Sequence, residues 1–410
     1  MVDKVRLEEY IGLLNNEILG EQVTRAEVAS VVNMGERTGI KQTSGEPEKN
    51  KGKARFFIKG GGDKCRYNTY AGVPSLYAML TAFIYMLIIG AVIFSTDVEK
   101  AFQQIDDIYR YNKGALRVRI PAGLPKLPAT NPFPEKYTDE RWLWLRKRAA
   151  EVRPGSIQVL NKAHYGGKNA SNLFVNRLQT DFQQVNDYTL VEEAVLVRRE
   201  GTRRDGMKEG VPCERSPATD VIFHHVDDIQ GAGEHVESDL EELGKKMKIG
   251  KVGVLREGGS DRFTGIDIQM ERGRLYLSQM KYLQEVDTDH ILEMAGGSRG
   301  AVDEHAMREV ETEEIDPSIQ DEVGAANGIL GWGTKLLWKN CVFYYKLQRH
   351  IRNLCRRMLH NVGLVHEKVK KEKQRIKLRP LGEKGRKVHM YTDCRRKNQT
   401  TMVRKGVVAF

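Results

Sequence analysis

The sequence predicts an α+β fold in which an antiparallel sheet is backed by helices. Segments typical of strands and of helices mix along the 410 residues, without the regular alternation that indicates a parallel sheet. A hairpin is also indicated, because the strand-like segments Phe263–Ile268 and Leu275–Leu277 flank a turn that contains glycine. The length, with an apolar content of 40%, allows two or three domains with buried cores.

The first 50 residues are a poorly defined N-terminal segment. Helical patterns occur between Glu8 and Val32, and the stretch Gly35–Lys53 is polar and rich in Gly, Lys and Glu, which favours a surface loop. The short aromatic segment Ala54–Lys59 precedes three consecutive glycines. This pattern predicts a strand that ends in a turn.

The stretch Leu76–Phe94 is almost continuously apolar, and two interpretations of it remain open. Its length and composition fit a membrane span over residues 75–94, which would make the chain a membrane-associated basic protein. Pro74 and the β-branched residues near its end instead favour a buried helix that leads into a buried strand over Ala91–Asp97. No basic flank follows, so we expect no stable membrane association.

The rest of the chain alternates between loops and periodic segments. Periodicity marks the ordered segments, and proline, glycine and charge mark the loops. The predicted elements are an irregular excursion (Leu124–Glu140), a helix (Leu173–Tyr188), a charged insertion (Arg198–Pro217), two short strands (Asp220–Val226 and one closing at Gly231–Gly233), a helix (Glu234–Lys248) and a mostly helical region (Gly324–Leu359).

The charge balance favours a polyanionic partner. The formal net charge is +11, and Lys and Arg gain free energy by displacing counterions condensed on phosphates. The same balance also suits an anionic membrane surface or a ribosomal contact. Five scattered cysteines without a CxxC pair indicate neither a zinc ribbon nor a disulfide framework, so a reduced, intracellular compartment is expected.

Three aspartates are the candidate catalytic residues. Asp227 and Asp228 follow an apolar strand at a predicted hairpin tip, and Asp97 ends another apolar strand. Adjacent carboxylates are costly unless a cation neutralises them, although an Asp-Asp pair also simply makes a good turn. If the two strands are neighbours, the three carboxylates converge and could hold two metal ions for phosphoryl transfer.

Six blocks of sequence, in order, resemble the reverse transcriptase of copia-type LTR retrotransposons. The resemblance covers Lys53 to Leu283, and six ordered blocks are hard to obtain by chance. The blocks are KARFFIKG (Lys53–Gly60), FSTDVEKAF (Phe94–Phe102), LNKAHYGGKNASNLF (Leu160–Phe174), HHVDDIQGAG (His224–Gly233), FTGIDI (Phe263–Ile268) and LSQMKYL (Leu277–Leu283).

The resemblance implies an RNA-directed DNA polymerase of right-hand architecture, with fingers, palm and thumb and an antiparallel palm sheet. Asp97 and Asp227 would be the main ligands of two Mg²⁺ ions, with Mn²⁺ as an alternative, and Asp228 would support them. The implied partners are an RNA or DNA template with its primer and deoxynucleoside triphosphates. The implied location is the cytoplasm, virus-like particles or the nucleus.

The resemblance also assigns a nucleotide-binding pocket. Phe102 would lie under the sugar of the incoming nucleotide and exclude a 2′-hydroxyl, whereas a core aromatic residue is the alternative reading of the same position. The remaining implied pocket residues are Tyr165, Gly166 and Lys168, which would line the template and nucleotide pocket, and the cations Lys53, Arg55 and Lys59, which would lie near the triphosphate.

The implied domain order follows the same family. Residues 51–290 would form fingers and palm, residues 291–385 a thumb or connection region, and residues 386–410 the truncated start of a ribonuclease H-like domain. That last assignment depends on Met390–Cys394, in which Asp393 would be a first metal ligand. The chain is then expected to be a fragment of a longer polyprotein.

The sequence departs from the family at several positions. His225 stands where the family has a tyrosine, Asn169-Ala170-Ser171 replaces Gln-Ala-Pro, and Phe174 replaces a tryptophan. A catalytically decayed, non-enzymatic remnant that still binds nucleic acid is therefore the alternative to an active polymerase.

Overall fold

The computed structural model describes eleven segments of the chain. The described residues are 2–24, 31–41, 51–105, 116–199, 218–284, 286–297, 299–300, 317–333, 336, 355–372 and 375–380. The helices are α1 (Val2–Asn15), α2 (Leu76–Ile88), α3 (Asp139–Glu151), α4 (Ala170–Asn186), α5 (Val236–Lys246), α6 (Met280–Gln284), α7 (Thr288–Met294), α8 (Gln320–Gly333) and α9 (Arg356–Glu372).

The strands of the described residues form three sheets. Their order is β1-β6-β5-β2-β3 in the first sheet, β11-β4-β10-β9-β8-β7 in the second and β12-β13-β14-β15 in the third. The strands are β1 (Leu19–Val23), β2 (Val32–Lys41), β3 (Lys51–Ile58), β4 (Ile93–Asp97), β5 (Arg117–Arg119), β6 (Ile157–Leu160), β7 (Thr189–Glu192), β8 (Val195–Arg199), β9 (Ala218–His225), β10 (Asp228–Gly233), β11 (Gly253–Leu255), β12 (Ser260–Phe263), β13 (Ile266–Glu271), β14 (Arg274–Ser278) and β15 (Ile376–Leu378).

The predicted α+β class with antiparallel sheets is confirmed. Among the paired strands of the described segments, β2 and β5 run parallel and the other pairs are antiparallel. Because antiparallel strands can be joined by tight turns, pairs such as β9–β10 and β13–β14 follow one another closely in the chain, whereas β4–β10 and β14–β15 join distant segments.

The six-stranded sheet has a hydrophobic core on each face. Val221 and Phe223 of β9 pack with α2, whereas Ile222 lies between them in sequence and packs on the opposite face with α4 and α5. This distribution follows from the period of two in a strand. A strand apolar on both faces is therefore the central layer of a helix–sheet–helix arrangement.

Helix α2 confirms the buried-helix interpretation of the apolar stretch. It begins after Ser75, whose hydroxyl accepts a hydrogen bond from the Ala78 amide, and the chain turns at Gly90 with a φ of +65° before entering β4. The Phe83 ring packs edge-on against Phe223 with centroids 5.3 Å apart. Across the described segments, no helix is both long enough and apolar enough to cross a membrane.

Several other predicted elements are confirmed with small shifts of their ends. The strand expected over Ala54–Lys59 is β3, the helix expected over Leu173–Tyr188 is α4, and the helix expected over Glu234–Lys248 is α5. The hairpin predicted around Arg272 joins β13 to β14. The residues from Leu124 to Tyr137 contain neither helix nor strand, as the prolines predicted.

The predicted surface loop over Gly35–Lys53 is wrong for its described parts. Residues 35–41 belong to β2, which pairs with β3 from Met34 opposite Ile58 to Lys41 opposite Lys51. The strand could not be predicted from the sequence, because glycines and charged residues interrupt its pattern and its single apolar face is short. The helical patterns expected between Glu8 and Val32 are confirmed in part, since α1 ends at Asn15 and the described residues beyond it include β1 and the start of β2.

Other predictions lie outside the described residues. These are the charged insertion beyond Arg199, most of the segment from 334 to 354, and the Met390–Cys394 segment with Asp393. The domain boundaries, including the segment 386–410, stay predictions.

Candidate active site

The two strands that carry the candidate carboxylates are neighbours in the six-stranded sheet. Asp97, the last residue of β4, lies directly opposite Asp228, the first residue of β10. The Val98 amide donates a hydrogen bond to the Asp227 carbonyl at 2.9 Å, so the chain after β4 is fastened to the turn before β10. The structure thus brings the three aspartates to one end of the sheet.

The turn between β9 and β10 has a strained backbone. Val226 has a φ of +55°, a left-handed conformation that a β-branched residue rarely adopts. Such strain persists only where the surroundings enforce it, and it is concentrated at functional sites. Here β9 and β10 enforce it, because His225 is paired with Asp228 immediately across the hairpin.

The carboxylates destabilise one another electrostatically. The pKa of Asp228 is raised from the usual 3.8 to about 6, mainly by partial burial of the carboxyl group and then by the negative charges of Asp227, Asp97 and Asp261, in that order. Asp261 lies on β12 and accepts a hydrogen bond from the Gln230 amide at 3.0 Å. Asp261 is a fourth carboxylate near this site, which the sequence analysis missed. It lies on a different sheet, and no sequence pattern indicates that β12 approaches β10.

Gly250 is a second residue that the sequence analysis missed. Its amide donates a hydrogen bond to the Asp97 carbonyl at 2.7 Å, and a Cβ atom at this position would lie 2.3 Å from Asp97 Oδ1. Only glycine therefore leaves room for the Asp97 carboxylate in its present orientation. A single glycine in a short polar loop is too common to have been singled out.

The donor chemistry of the site fits a hard divalent cation. Mg²⁺ prefers oxygen ligands and takes only one or two protein carboxylates beside water and substrate phosphates. Within the described residues, no three acidic, histidine or cysteine side chains are arranged closely enough to hold an ion by themselves. The opposed pair Asp97 and Asp228, both solvent-exposed, suits an ion whose remaining ligands come from a substrate.

An aromatic cluster adjoins the carboxylates. Phe102, in a 3-10 turn over Ala101–Gln104, packs edge-on against Tyr165 with ring centroids 5.3 Å apart, and the Arg55 guanidinium lies 4.6 Å from the Tyr165 ring. Burial raises the pKa of Tyr165, Arg55 opposes this effect, and Glu9 and Asp227 add to it. Tyr165 therefore lies within electrostatic reach of both Arg55 and Asp227.

The glycine-rich turn after Tyr165 abuts the end of β3. Gly166 has a φ of +80°, and a Cβ atom there would lie 2.1 Å from the Ile58 carbonyl oxygen. The Ile58 amide in turn donates a hydrogen bond to the Tyr165 carbonyl at 2.7 Å. Close backbone packing thus fixes β3, which carries Arg55, against the loop that carries Tyr165.

Two of the candidate lysines are placed differently. The Lys168 ammonium donates a hydrogen bond to the Asp63 carbonyl, which ties it to the chain after β3. Lys59 is exposed just beyond β3, with its side chain beside Gly35 of β2. The structure therefore brings together Arg55, Phe102, Tyr165 and Gly166, and it leaves the two lysines at the edge of this group.

Comparisons with known proteins give distant structural likenesses. No protein-family model and no curated protein matches the chain. A foamy viral protease-reverse transcriptase in complex with double-stranded DNA is 10% identical, with a TM-score of 0.38, over 88% of this chain and 46% of that chain. A telomerase from Candida albicans in complex with a fragment of telomeric RNA is 10% identical, with a TM-score of 0.27, over 75% of this chain and 52% of that chain.

The chain spans about half the length of these two structures. Both TM-scores are too low to carry a conclusion about this chain.

Proposed function

We propose that the chain is an RNA-directed DNA polymerase of the copia-type retrotransposon class. The observation that carries the proposal is the strand register that sets Asp97 opposite Asp228, with Asp227 in the adjoining turn. Three carboxylates at the end of one sheet, next to an aromatic and basic cluster, suit phosphoryl transfer from a nucleotide.

In the proposed reaction, the 3′-hydroxyl oxygen of a primer attacks the α-phosphorus of a deoxynucleoside triphosphate. A new phosphorus–oxygen bond forms, the bond between the α-phosphorus and its bridging oxygen breaks, pyrophosphate leaves, and the hydroxyl proton passes to solvent. Asp97, Asp227 and Asp228 would hold Mg²⁺ or Mn²⁺, which supplies neutralisation of charge on the reacting oxygens. The protein contributes mainly positioning, since phosphoryl transfer needs little covalent chemistry from it.

The neighbouring cluster is proposed to bind the incoming nucleotide. Phe102 forms the wall next to the sugar, where its ring excludes a 2′-hydroxyl. Arg55, which stacks on Tyr165 at 4.6 Å, neutralises the triphosphate, with Lys59 and Lys168 at the margin. Gly166 allows the backbone to approach the nucleic acid closely.

The proposal includes a right-hand architecture. The first sheet, which carries Arg55 on β3, corresponds to fingers, and the six-stranded sheet with the carboxylates corresponds to the palm. The helices α6 to α9, which share a core around Leu283, Leu330 and Val362, correspond to the thumb or connection region. The template with its primer would then lie across the carboxylate end of the palm sheet.

Primer extension tests the proposal. The chain is incubated with poly(rA)–oligo(dT), dTTP and Mg²⁺ or Mn²⁺, beside an Asp227→Asn/Asp228→Asn double variant. We expect incorporation by the wild type that the double variant loses. A folded wild type that binds the duplex without incorporating nucleotides would refute the proposed polymerase activity. A second candidate function would then remain.

The second candidate is a non-enzymatic nucleic-acid-binding remnant of the same family. It is favoured by the open arrangement of the acidic side chains, since no three of those in the described segments can hold an ion unaided. His225, which stands where the family has tyrosine, adjoins the same turn. Duplex binding that falls steeply with salt, without synthesis under any metal, identifies this candidate.

A further inference from the structure

A chain of hydrogen bonds runs through the interior beneath the aromatic cluster. The side-chain amide of Asn16 donates a hydrogen bond to Gln103 Oε1 at 2.8 Å. Gln103 Nε2 lies 3.5 Å from His164 Nδ1, and His164 Nε2 lies 2.8 Å from the Phe56 carbonyl oxygen. Gln103 is 4% exposed and His164 is fully buried. The chain of contacts therefore lies in the interior, where each polar group needs a partner.

The hydrogen bonds in this chain can point in one direction only. The Phe56 carbonyl accepts, so His164 carries its proton on Nε2 and its Nδ1 accepts from the Gln103 amide. Gln103 Oε1 is then the acceptor for Asn16. A second proton on His164 would set a donor against the Gln103 amide donor, and burial holds the pKa of His164 down to about 4. The imidazole therefore remains neutral at physiological pH.

Three members of this hydrogen-bond chain adjoin residues of the proposed nucleotide pocket. Gln103 follows Phe102 in the 3-10 turn, His164 precedes Tyr165, and the Phe56 carbonyl belongs to the residue after Arg55. The three pocket side chains come from three separate segments of the chain. The buried contacts join those segments directly behind the pocket.

Burying a pair of polar side chains costs more free energy than burying apolar side chains of similar volume. Two leucines would fill a similar volume without any polar group to satisfy, whereas a glutamine and a histidine stabilise the fold only while every hydrogen bond is kept. In return, hydrogen bonds fix distance and orientation more tightly than apolar packing does. The separation of Phe102 and Tyr165, 5.3 Å between ring centroids, is a distance that such bonds would fix.

We propose that Gln103 and His164 are positioning residues that set the discrimination between deoxynucleotides and ribonucleotides. They act through Phe102 and Tyr165 and touch no substrate themselves. A 2′-hydroxyl adds a single oxygen atom, so a shift of the Phe102 wall by a fraction of an ångström changes whether it fits. The inference rests on the proposed polymerase function, because it assigns the sugar wall to Phe102.

The test uses variants that remove the polar contacts while keeping volume. Gln103→Leu and His164→Leu each break the chain, whereas His164→Gln retains one donor and one acceptor at similar positions and is expected to rescue. The matched control is His366→Leu. His366 is also fully buried, its Nε2 lies 3.0 Å from the Ala326 carbonyl, and its pKa is likewise lowered to about 4 by burial.

The first measurement is kcat/KM for dUTP and for UTP, which differ only in the 2′-hydroxyl, on poly(rA)–oligo(dT), for variants whose folding is checked by circular dichroism. We expect the dUTP/UTP ratio to fall about tenfold in the two leucine variants, which corresponds to about 1.4 kcal/mol. The fall should come mainly from a lower KM for UTP. His164→Gln and His366→Leu should keep the wild-type ratio.

A second measurement separates failure of this inference from failure of the proposed function. Equilibrium binding of dUTP and UTP to the protein–duplex complex is measured with Ca²⁺, which needs no turnover. If the wild type incorporates nothing but binds dUTP more tightly than UTP, a reduced preference in Gln103→Leu still supports positioning. A folded Gln103→Leu variant with the wild-type preference overturns the inference, and so does a wild type without any preference.

Discussion

At the scale of single residues, the carboxylates at the end of the six-stranded sheet reduce the stability of the fold. Asp228 has a pKa of about 6 instead of the usual 3.8. An acid whose pKa is higher in the folded than in the unfolded chain keeps more protons when folded between these two values. The free energy of unfolding therefore decreases as the pH rises from about 4 to 6, and the loss persists above pH 6.

Asp228→Asn is therefore expected to stabilise the metal-free protein at neutral pH. We expect its melting temperature at pH 7.5 in EDTA to exceed that of the wild type by roughly 1–3 °C, a small rise because solvent screens an exposed carboxylate. The difference should shrink as the pH falls from 6 to 4. A variant that melts below the wild type at pH 7.5 would contradict electrostatic repulsion between Asp228 and the neighbouring carboxylates.

Gly250 gives a second prediction at this scale. A Cβ atom 2.3 Å from Asp97 Oδ1 forces the carboxylate to move, so Gly250→Ala should reduce primer extension about a hundredfold or more, as a misplacement of about 1 Å at a reacting site can. Gly123→Ala is the control, because its Cβ would meet no atom within 4 Å. Equal activity of the two folded variants would show that the Asp97 orientation is unimportant.

The residues at the site differ in how far the sequence could reveal them. The pair Asp227-Asp228 was recognisable because Asp97 ends a similar apolar strand and because both segments lie in blocks that resemble a known family. Asp261 and Gly250 were not recognisable, since their importance depends on which loops and sheets meet in three dimensions. Tertiary proximity of this kind leaves no local pattern.

At the scale of elements, α2 is the clearest case in which composition alone was ambiguous. The thirteen residues of α2 carry no charge and could be part of a membrane span or of a core, and the structure packs Phe83 and Met86 against the sheet. The flanking proline and the β-branched residues carried the correct signal. By contrast, β2 was mistaken for a loop because its glycines and charges conceal the alternation of its buried residues Val32 and Met34.

The packing of α2 can be tested within one helix. Phe83 is 1% exposed and contacts Phe223, so Phe83→Ala should lower the free energy of unfolding by about 3–5 kcal/mol. Tyr77 on the same helix is 51% exposed, and Tyr77→Ala should change it by no more than about 0.5 kcal/mol. Urea denaturation followed by tryptophan fluorescence measures both. Similar losses in the two variants would argue against the present orientation of α2.

At the scale of the whole molecule, part of the excess positive charge is concentrated on one face of β3. On β3, Lys51, Lys53 and Arg55 are exposed and alternate with the buried residues Ala54 and Phe56. Arg37 of β2 lies directly opposite Arg55, although like charges that face each other across strands are destabilising. Such an arrangement is more favourable when phosphates lie against it, so we propose this strand face as the path of a nucleic-acid backbone.

The salt dependence of duplex binding tests whether that strand face contacts phosphates. Each phosphate contact contributes about 0.9 to the slope of log K against log salt concentration on double-stranded DNA. The double variant Lys51→Gln/Lys53→Gln should therefore flatten the slope by about 1.8, as measured by fluorescence anisotropy between low and physiological KCl. The control Lys368→Gln/Lys371→Gln removes the same charge from α9, where the two lysines pair with Glu372 and Glu367 at 3.4 and 3.1 Å, and should keep the wild-type slope. If both double variants flatten the slope equally, the duplex responds to net charge and not to the face of β3, and the proposed path of the nucleic acid is wrong.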